Sequence, residues 1–443
     1  RAVWSLLQTW RGWKNARRPF FNSLFVAVRG RTATMETRGL LMRRQLETIG
    51  VAIAGTGFMG MAHVEALRRV GVRLVGCLGS TLEKSRRFAE RWNLPRAYAT
   101  FAELLSDTEV HAVHLATPNT QHVAMARQAI QAGKHVLCEK PLATSALESA
   151  ELVELAARHS ALSCGVNYNV RFYPLCVEAR EQLRSGACGE IFHIGGSYVQ
   201  DWLLERDDYN WRVLAEQGGE LRAMADIGTH WLDLVQHLTG LSVTAVCAAL
   251  KTVHAERFRP ESEIETFAGP VPTDSTHLVE TSSIRRSVPV TTDDYGAVLL
   301  RFDNGAQGVL WVSQVTAGRK NCIRFEIAAQ RHAVAWNSEQ PDELWIGDRH
   351  AANRLLARDP ALLSPAARAV AGYPGGHVEG YPDTFKQLFR AFYSAVECGA
   401  GSDSSRFPTF ADGHREMVLC EAMLASHRRQ AWVEVVAYEE RSH

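Results

Sequence analysis

The chain lacks most of the features that announce a secreted, membrane or metal-binding protein. Its nine cysteines, at 77, 138, 164, 176, 188, 247, 322, 398 and 420, are scattered. None forms a Cys-x-x-Cys pair, and no Cys/His cluster has zinc-ligand spacing, so no metal is expected. Scattered thiols suit a reducing compartment, which makes the cytoplasm the expected location. No apolar run can span a bilayer; the stretch from Phe20 to Val28 is short and broken by Asn22 and Ser23. A formal net charge of +1 gives no general attraction to nucleic acid or to an anionic membrane. There is no internal repeat and no low-complexity tract. Acidic residues are missing ahead of Glu36, where Arg1, Arg11, Lys14, Arg17, Arg18, Arg29 and Arg31 stand. Such a start resembles a transit peptide, but the first residue is Arg1. Residues 1–47 are therefore read as a basic leader, disordered or not native, and are set apart from the fold.

What is present begins at residue 48. A chain of 443 residues is long for one core and implies two domains. Short apolar strands at Val51–Ala54, Val72–Leu78, Val110–Ala116, His135–Cys138 and Leu162–Val166 alternate with helical stretches. The helices are expected at Met61–Val70, Thr81–Trp92, Phe101–Leu105, Thr120–Ala132 and Ala146–His159. That alternation predicts an α/β domain over 48–170 with a doubly wound parallel sheet. The rest, 171–443, changes character. Strand-like runs start at Ile191, Val243, Tyr295, Ala306, Cys322, Ala333 and Glu343, several of them in period two. They predict an open, mainly antiparallel sheet, with Asp303-Asn304-Gly305 as a hairpin turn. Helices are expected at Val177–Leu183 and Ala225–Leu238. Two more, at Tyr381–Cys398 and Asp412–Arg428, are expected to pack back on the domains. The stretch 255–292 has little periodicity and reads as a loop over the site.

Four constellations carry chemistry. Gly55-Thr56-Gly57-Phe58-Met59-Gly60 lies between the first strand and a helix, as a dinucleotide fingerprint requires. The first glycine permits the tight turn, the second lets backbone approach a pyrophosphate, and the third lets helix and strand pack closely. Strand two ends at Leu78-Gly79-Ser80, where an acid would take the ribose hydroxyls of NAD. Ser80 and Lys84 stand there instead, with Arg86 and Arg87 beyond. A hydroxyl plus a cation suits a 2′-phosphate, so NADP(H) is favoured over NAD(H); for Arg87 a solvated helix face is the better reading. In Thr117-Pro118-Asn119-Thr120-Gln121-His122 a strand ends beside the ligand crevice. Asn119 is a helix cap, a contact to the nicotinamide ribose, or both. In Cys138-Glu139-Lys140-Pro141, Lys140 ends a buried strand and so needs a cleft. Its cation could hold a substrate hydroxyl and stabilise an alkoxide. Finally Asp226 and His230 stand four apart on a predicted helix and share a face. An imidazole there suits proton transfer near neutral pH; a capping Asp and a packed His are the plain alternative.

These four motifs, in this order, resemble the Gfo/Idh/MocA family, named for glucose–fructose oxidoreductase and inositol dehydrogenase. The likeness runs from about residue 48 to the C-terminus. It implies a Rossmann domain followed by an α/β domain whose open sheet serves oligomer contacts, hence a homodimer or homotetramer. It implies NAD(P)-dependent oxidation or reduction of sugars, inositols and related polyols, with Lys140, Asp226 and His230 as the catalytic lysine, aspartate and histidine. It also places Thr117, Pro118, Asn119, His122, Glu139 and Lys140 at the cofactor, with the glycine segment. Tyr198-Val199-Gln200-Asp201-Trp202 resembles a segment of sugar dehydrogenases within the family, and Trp202 could stack on a pyranose or simply fill a core. Asn169, Arg171 and Tyr173 fall in a segment that in the family lies beside substrate. Gln200 and His377 complete the expected contacts. The acid common in NAD-using members is missing at strand two. Two other readings compete: a non-enzymatic NAD(P)-binding regulator, and a redox-neutral NAD-dependent glycosidase.

Overall fold

A computed structural model describes residues 46–259, 286–399, 401, 403 and 406–436. The leader up to residue 45 and the centre of the 255–292 stretch lie outside the described residues. Six parallel strands form the first sheet: β1 (Gly50–Ala54), β2 (Arg73–Leu78), β3 (Arg96–Tyr98), β4 (Ala112–Leu115), β5 (His135–Cys138) and β6 (Cys164–Val166). Their spatial order is β3-β2-β1-β4-β5-β6. Every residue of β1 and β4 is buried, as expected of strands covered on both faces. Strand order reverses between β1 and β4, and ligands of such sheets bind outside the carboxyl ends at that point. Those ends lead to Gly55 and Thr117.

Helices α1 (Phe58–Val70), α2 (Leu82–Arg91), α3 (Phe101–Ser106), α4 (Asn119–Gln131) and α5 (Ala146–Arg158) connect the strands. Thr81, Thr100 and Ser145 cap α2, α3 and α5 through their hydroxyls. The starts of α1 and α4, which follow β1 and β4, have no side-chain cap. Their first N–H groups lie outside the intrahelical ladder. The N-cap of α4 is Pro118 and Asn119 is the first helical residue. The cap expected at Asn119 is therefore corrected, since its side chain turns across to the second lobe.

The second sheet has nine strands in the order β16-β15-β14-β13-β7-β12-β11-β8-β17. They are β7 (Ile191–Val199), β8 (Val243–Lys251), β11 (Tyr295–Phe302), β12 (Gln307–Ser313), β13 (Cys322–Ala329), β14 (His332–Asn337), β15 (Glu343–Asp348), β16 (Arg354–Ala357) and β17 (Val433–Glu434). Between them in the chain, β9 (Glu256–Arg259) and β10 (Arg286–Pro289) pair with each other. The expected loop at 255–292 is thus bounded by a short ladder, which charged residues conceal from a period-two reading. Only β7 and β12 pair in parallel; the other contacts of the nine-stranded sheet are antiparallel. Helices α6 (Pro174–Arg184), α7 (Thr229–Thr239) and α9 (Phe410–Arg429) build a core with one face of this sheet. Helix α8 (Tyr381–Glu397) instead joins the first sheet's core through Phe385, Phe389, Phe392 and Tyr393. Among the described residues no helix is long and apolar enough to cross a membrane.

Candidate active site

The glycine segment has the shape its spacing predicts. Gly55 has φ of +112°, and a Cβ there would meet the Ala116 carbonyl oxygen at 2.2 Å. Its N–H donates to Leu78 O at 2.8 Å, tying the end of β1 to the end of β2. A Cβ on Gly57 would meet nothing within 4 Å. That open space lies at the uncapped start of α1, so backbone N–H groups and the helix dipole face a free volume fitted to a phosphate. The residues present therefore fit a dinucleotide: the turn at Gly57, Phe58 and Met59, closed by Gly55 and Gly60, would face its pyrophosphate, and Ser80 and Lys84 stand beyond the end of β2. Ser80 is exposed and Lys84 half-buried. Arg87 sits 3.9 Å from Glu83 on an exposed helix face, in keeping with a solvated role.

Lys140 follows β5 through Glu139 and precedes a cis peptide to Pro141. Its Nζ donates to the Asp226 carboxylate at 2.6 Å and to the Asp226 carbonyl at 2.8 Å. An ammonium has three donors, and these two bonds leave the third for a substrate oxygen. Asp226 is held from two further sides. Gln314 Nε2 donates to its Oδ2 at 2.9 Å, and Arg212 Nε lies 3.7 Å from its Oδ1. Burial opposes charge on this carboxyl, but Lys140 and then Arg212 hold it well below the usual carboxylate range. The expected single helix over Ala225–Leu238 is wound as a π-turn at Met224–Gly228 before α7 begins. Asp293 accepts from the N–H groups of Arg222 (2.6 Å) and Met224 (2.8 Å) and so anchors that turn. Pinned at Asp293, Lys140 and Gln314, the turn adds a residue to the helix.

His230 lies at the start of α7 and is 8 % exposed. Its ring is flanked by Tyr168 and Tyr198, with centroids at 5.6 and 6.1 Å. Nδ1 is buried without a partner. Burial, then the nearby Lys140 charge, push its pKa down to about 3, while Glu139 and Asp226 pull the other way. The imidazole is thus a neutral base beside an ammonium.

The remaining expected residues separate into two groups. Gln200 and Tyr198 both donate to Asn321 Oδ1 at 2.8 Å, and Trp202 Nε1 donates to Gln200 Oε1 at 2.9 Å. Trp202 is half-buried against Leu203, Val213 and Val290, so it serves at least as packing. Asn119 Nδ2 donates to Gly218 O at 3.0 Å, a link between lobes. His122 is fully buried and pinned to Pro141 O (2.7 Å) and Thr117 O (2.9 Å), which makes it a brace of the two crevice loops rather than a direct cofactor contact. Glu139 is likewise buried, bonded to His63 and Asn167.

Arg171, Asn169 and Tyr173 are also turned inward. Arg171 is 4 % exposed, bidentate on Asp233, and 2.9 Å from Asp412 Oδ1. Asn169 donates to Thr384 Oγ1 at 2.7 Å. Tyr173 packs on Trp336 at 4.8 Å between centroids. His377 is exposed on a loop whose carbonyl is held by buried Arg358. These four have no described contact with Lys140, Asp226 or His230. Arg171→Leu should cost about 3–5 kcal/mol of stability by leaving buried carboxylates unpaired. Denaturant unfolding against the KM for substrate separates this from a binding role, which would raise KM and spare stability. Gln314, Arg212 and Asn321 were not found from sequence. Among the described residues no group of three His, Cys, Asp or Glu side chains could hold a metal.

Two family models match this architecture in order. The model of an oxidoreductase family with an NAD-binding Rossmann fold matches residues 49–168, and the GFO/IDH/MocA C-terminal domain matches 176–334. The chain belongs to the Gfo/Idh/MocA family of NAD(P)-dependent oxidoreductases. It is 30% identical over 407 residues to levoglucosan dehydrogenase of Pseudarthrobacter phenanthrenivorans, covering 88% of this chain and 99% of the relative. It is 27% identical over 372 residues to glucose-6-phosphate 3-dehydrogenase of Bacillus subtilis, covering 84% and 94%. A solved levoglucosan dehydrogenase in complex with NADH and L-sorbose superposes with a TM-score of 0.76 at 28% identity, covering 88% of this chain and 99% of that one.

Proposed function

We propose that the chain oxidises a carbinol carbon of a sugar, inositol or related polyol, or reduces the matching carbonyl, with NADP(H) preferred to NAD(H). Residues 48–170 bind the cofactor and 171–443 bind substrate. A bound nicotinamide supplies the hydride acceptor or donor. In oxidation, His230 takes the hydroxyl proton and returns it in reduction. The third Lys140 donor holds the same oxygen and favours its developing negative charge. Asp226 fixes Lys140 and, by its charge, favours the protonated imidazole. The observation that carries this reading is that Lys140 of the first lobe bonds Asp226, four residues before His230 on the second, with its charge near enough to lower the basicity of the imidazole. The sugar dehydrogenases among its relatives support the substrate class. A panel of sugars and polyols, levoglucosan included, read at the nicotinamide absorbance with each cofactor, tests it. A panel with no turnover by either cofactor contradicts it.

Cofactor choice rests on Ser80 and Lys84. The wild-type protein should bind NADPH more tightly than NADH, and Ser80→Asp should move the ratio of dissociation constants toward NADH by about tenfold or more. Tighter NADH binding that Ser80→Asp leaves unchanged refutes the preference. A cytoplasmic location is our reading from nine scattered cysteines, none of them in a disulfide. Association into a homodimer or homotetramer is our reading from the open sheet face. There Leu299, Val309 and Leu355 are exposed, and Trp311 and Trp345 line a concavity of about 720 Å3.

A further inference from the structure

Four polar side chains, three from α8, β4 and α1 and one from the turn after β5, make one buried chain of hydrogen bonds that ends beside Lys140. Tyr393 of α8 lies 2.8 Å from His114 Nε2 on β4. His114 Nδ1 lies 2.9 Å from Nδ1 of His63 on α1. His63 Nε2 lies 2.8 Å from Glu139 Oε1, and Asn167 donates to the same oxygen. The exposures of Tyr393, His114 and His63 are 0 %, and that of Glu139 is 4 %. Phe385, Phe389 and Phe392 pack their rings around the two histidines.

Proton counting gives this chain a direction. Among the described residues the Tyr393 hydroxyl has one partner, His114, so its buried proton must be donated there. His114 then accepts at Nε2 and, being neutral in this apolar jacket, carries its proton on Nδ1. That proton goes to His63 Nδ1. His63 accepts at Nδ1, carries its own proton on Nε2 and donates it to Glu139. Glu139 Oε1 accepts from both His63 and Asn167, so that oxygen bears no proton. Any order that puts a proton on His114 Nε2 would strand the Tyr393 O–H in the core.

We propose that Tyr393, His114 and His63 are positioning residues that keep the Glu139 carboxylate ionised beside Lys140 and thereby sustain His230 as a proton acceptor. Burial opposes the charge on Glu139, but His63, by its bond and by its charge when protonated, then Lys140 and Asn167, hold it below its ordinary range. Burial pushes His114 well below the ordinary imidazole range, in keeping with a neutral link. The anion in turn raises the basicity of His230, against the effect of Lys140. His122 and Tyr381 also lie within reach of its charge. The effect reaches the reacting oxygen only through Lys140 and His230, so the inference rests on their proposed roles.

The test uses the full chain with Tyr393→Phe, Glu139→Gln and the double variant. Each single variant should lower the kcat of sugar oxidation by about tenfold, the worth of one unit of basicity, with KM and cofactor Kd within about twofold. The double variant should be no slower than Glu139→Gln alone, because both act through one charge. A Tyr393→Phe protein with unchanged kcat, a raised KM, or a loss that multiplies with that of Glu139→Gln overturns the proposal. Nitrogen-15 spectra of wild-type protein decide it independently of how the variants fold. They should show neutral rings with the proton on Nδ1 of His114 and Nε2 of His63; the opposite tautomers or a charged His63 overturn it. A wild-type protein that turns over no sugar would defeat the proposed function instead, and the nitrogen spectra would still decide this inference.

Discussion

Lys140→Ala is expected to lower turnover by at least about 10²–10⁴-fold, the span of a lost oxyanion-type donor together with a misplaced partner. Two losses combine. The substrate oxygen loses the donor that meets its developing charge. Asp226 loses its nearest cation and keeps Gln314 and the more distant Arg212. The second loss also lowers stability, since removing one member of a buried pair leaves the other uncompensated. Cofactor affinity should change little, because the pyrophosphate site at Gly55–Gly60 is built from backbone on a different turn. Steady-state kinetics, fluorescence titration with the cofactor and thermal unfolding separate these effects. Turnover near normal on the true substrate contradicts the assignment.

The second large effect is at His230. Its replacement by alanine should remove about 10²–10⁴-fold of turnover with cofactor affinity within about twofold. The pH dependence follows from its surroundings. Burial and Lys140 hold its pKa down to about 3, against an ordinary value of 6.5. The base is therefore already neutral throughout the usual working range. Oxidation by the wild-type protein should show no loss of kcat/KM as pH falls through 6.5, whereas an unperturbed imidazole would be half protonated there. Reduction needs the proton-bearing ring and should quicken as pH falls. An inflection in oxidation at the ordinary histidine value contradicts this account of the environment of His230.

Much of the site was legible because its chemistry sits at strand ends that local spacing locates. Gly55, Thr117 and Lys140 each follow a short buried strand, and their roles depend on backbone that the neighbouring residues dictate. Asp226 and His230 were legible as a pair four residues apart, though not the π-turn between them. That turn depends on Asp293 and Gln314, which arrive from the second sheet. Asn321 and Arg212 escaped for the same reason: each reaches the site through tertiary packing and belongs to no local motif. Arg171 is the converse case. Its segment suggests a place beside substrate, but its guanidinium is taken by Asp233 and by Asp412, 241 residues further along the chain. Nothing near Arg171 in sequence reveals that partner. Asn169 is diverted in the same way by Thr384. In the first sheet alternation sufficed for every strand except β3, three residues long and carrying Arg96. In the second, β16 and β17 escaped because they are short edge strands with little apolar pattern.

The most direct test of the central claim is a crystal structure of the protein with cofactor and the sugar of highest turnover in the panel. The account predicts one sugar oxygen within about 3.2 Å of both Lys140 Nζ and a ring nitrogen of His230, with the Lys140–Asp226 bond kept. A bound sugar whose reacting oxygen meets neither nitrogen, or meets only one while the other stays turned into the protein, would contradict it.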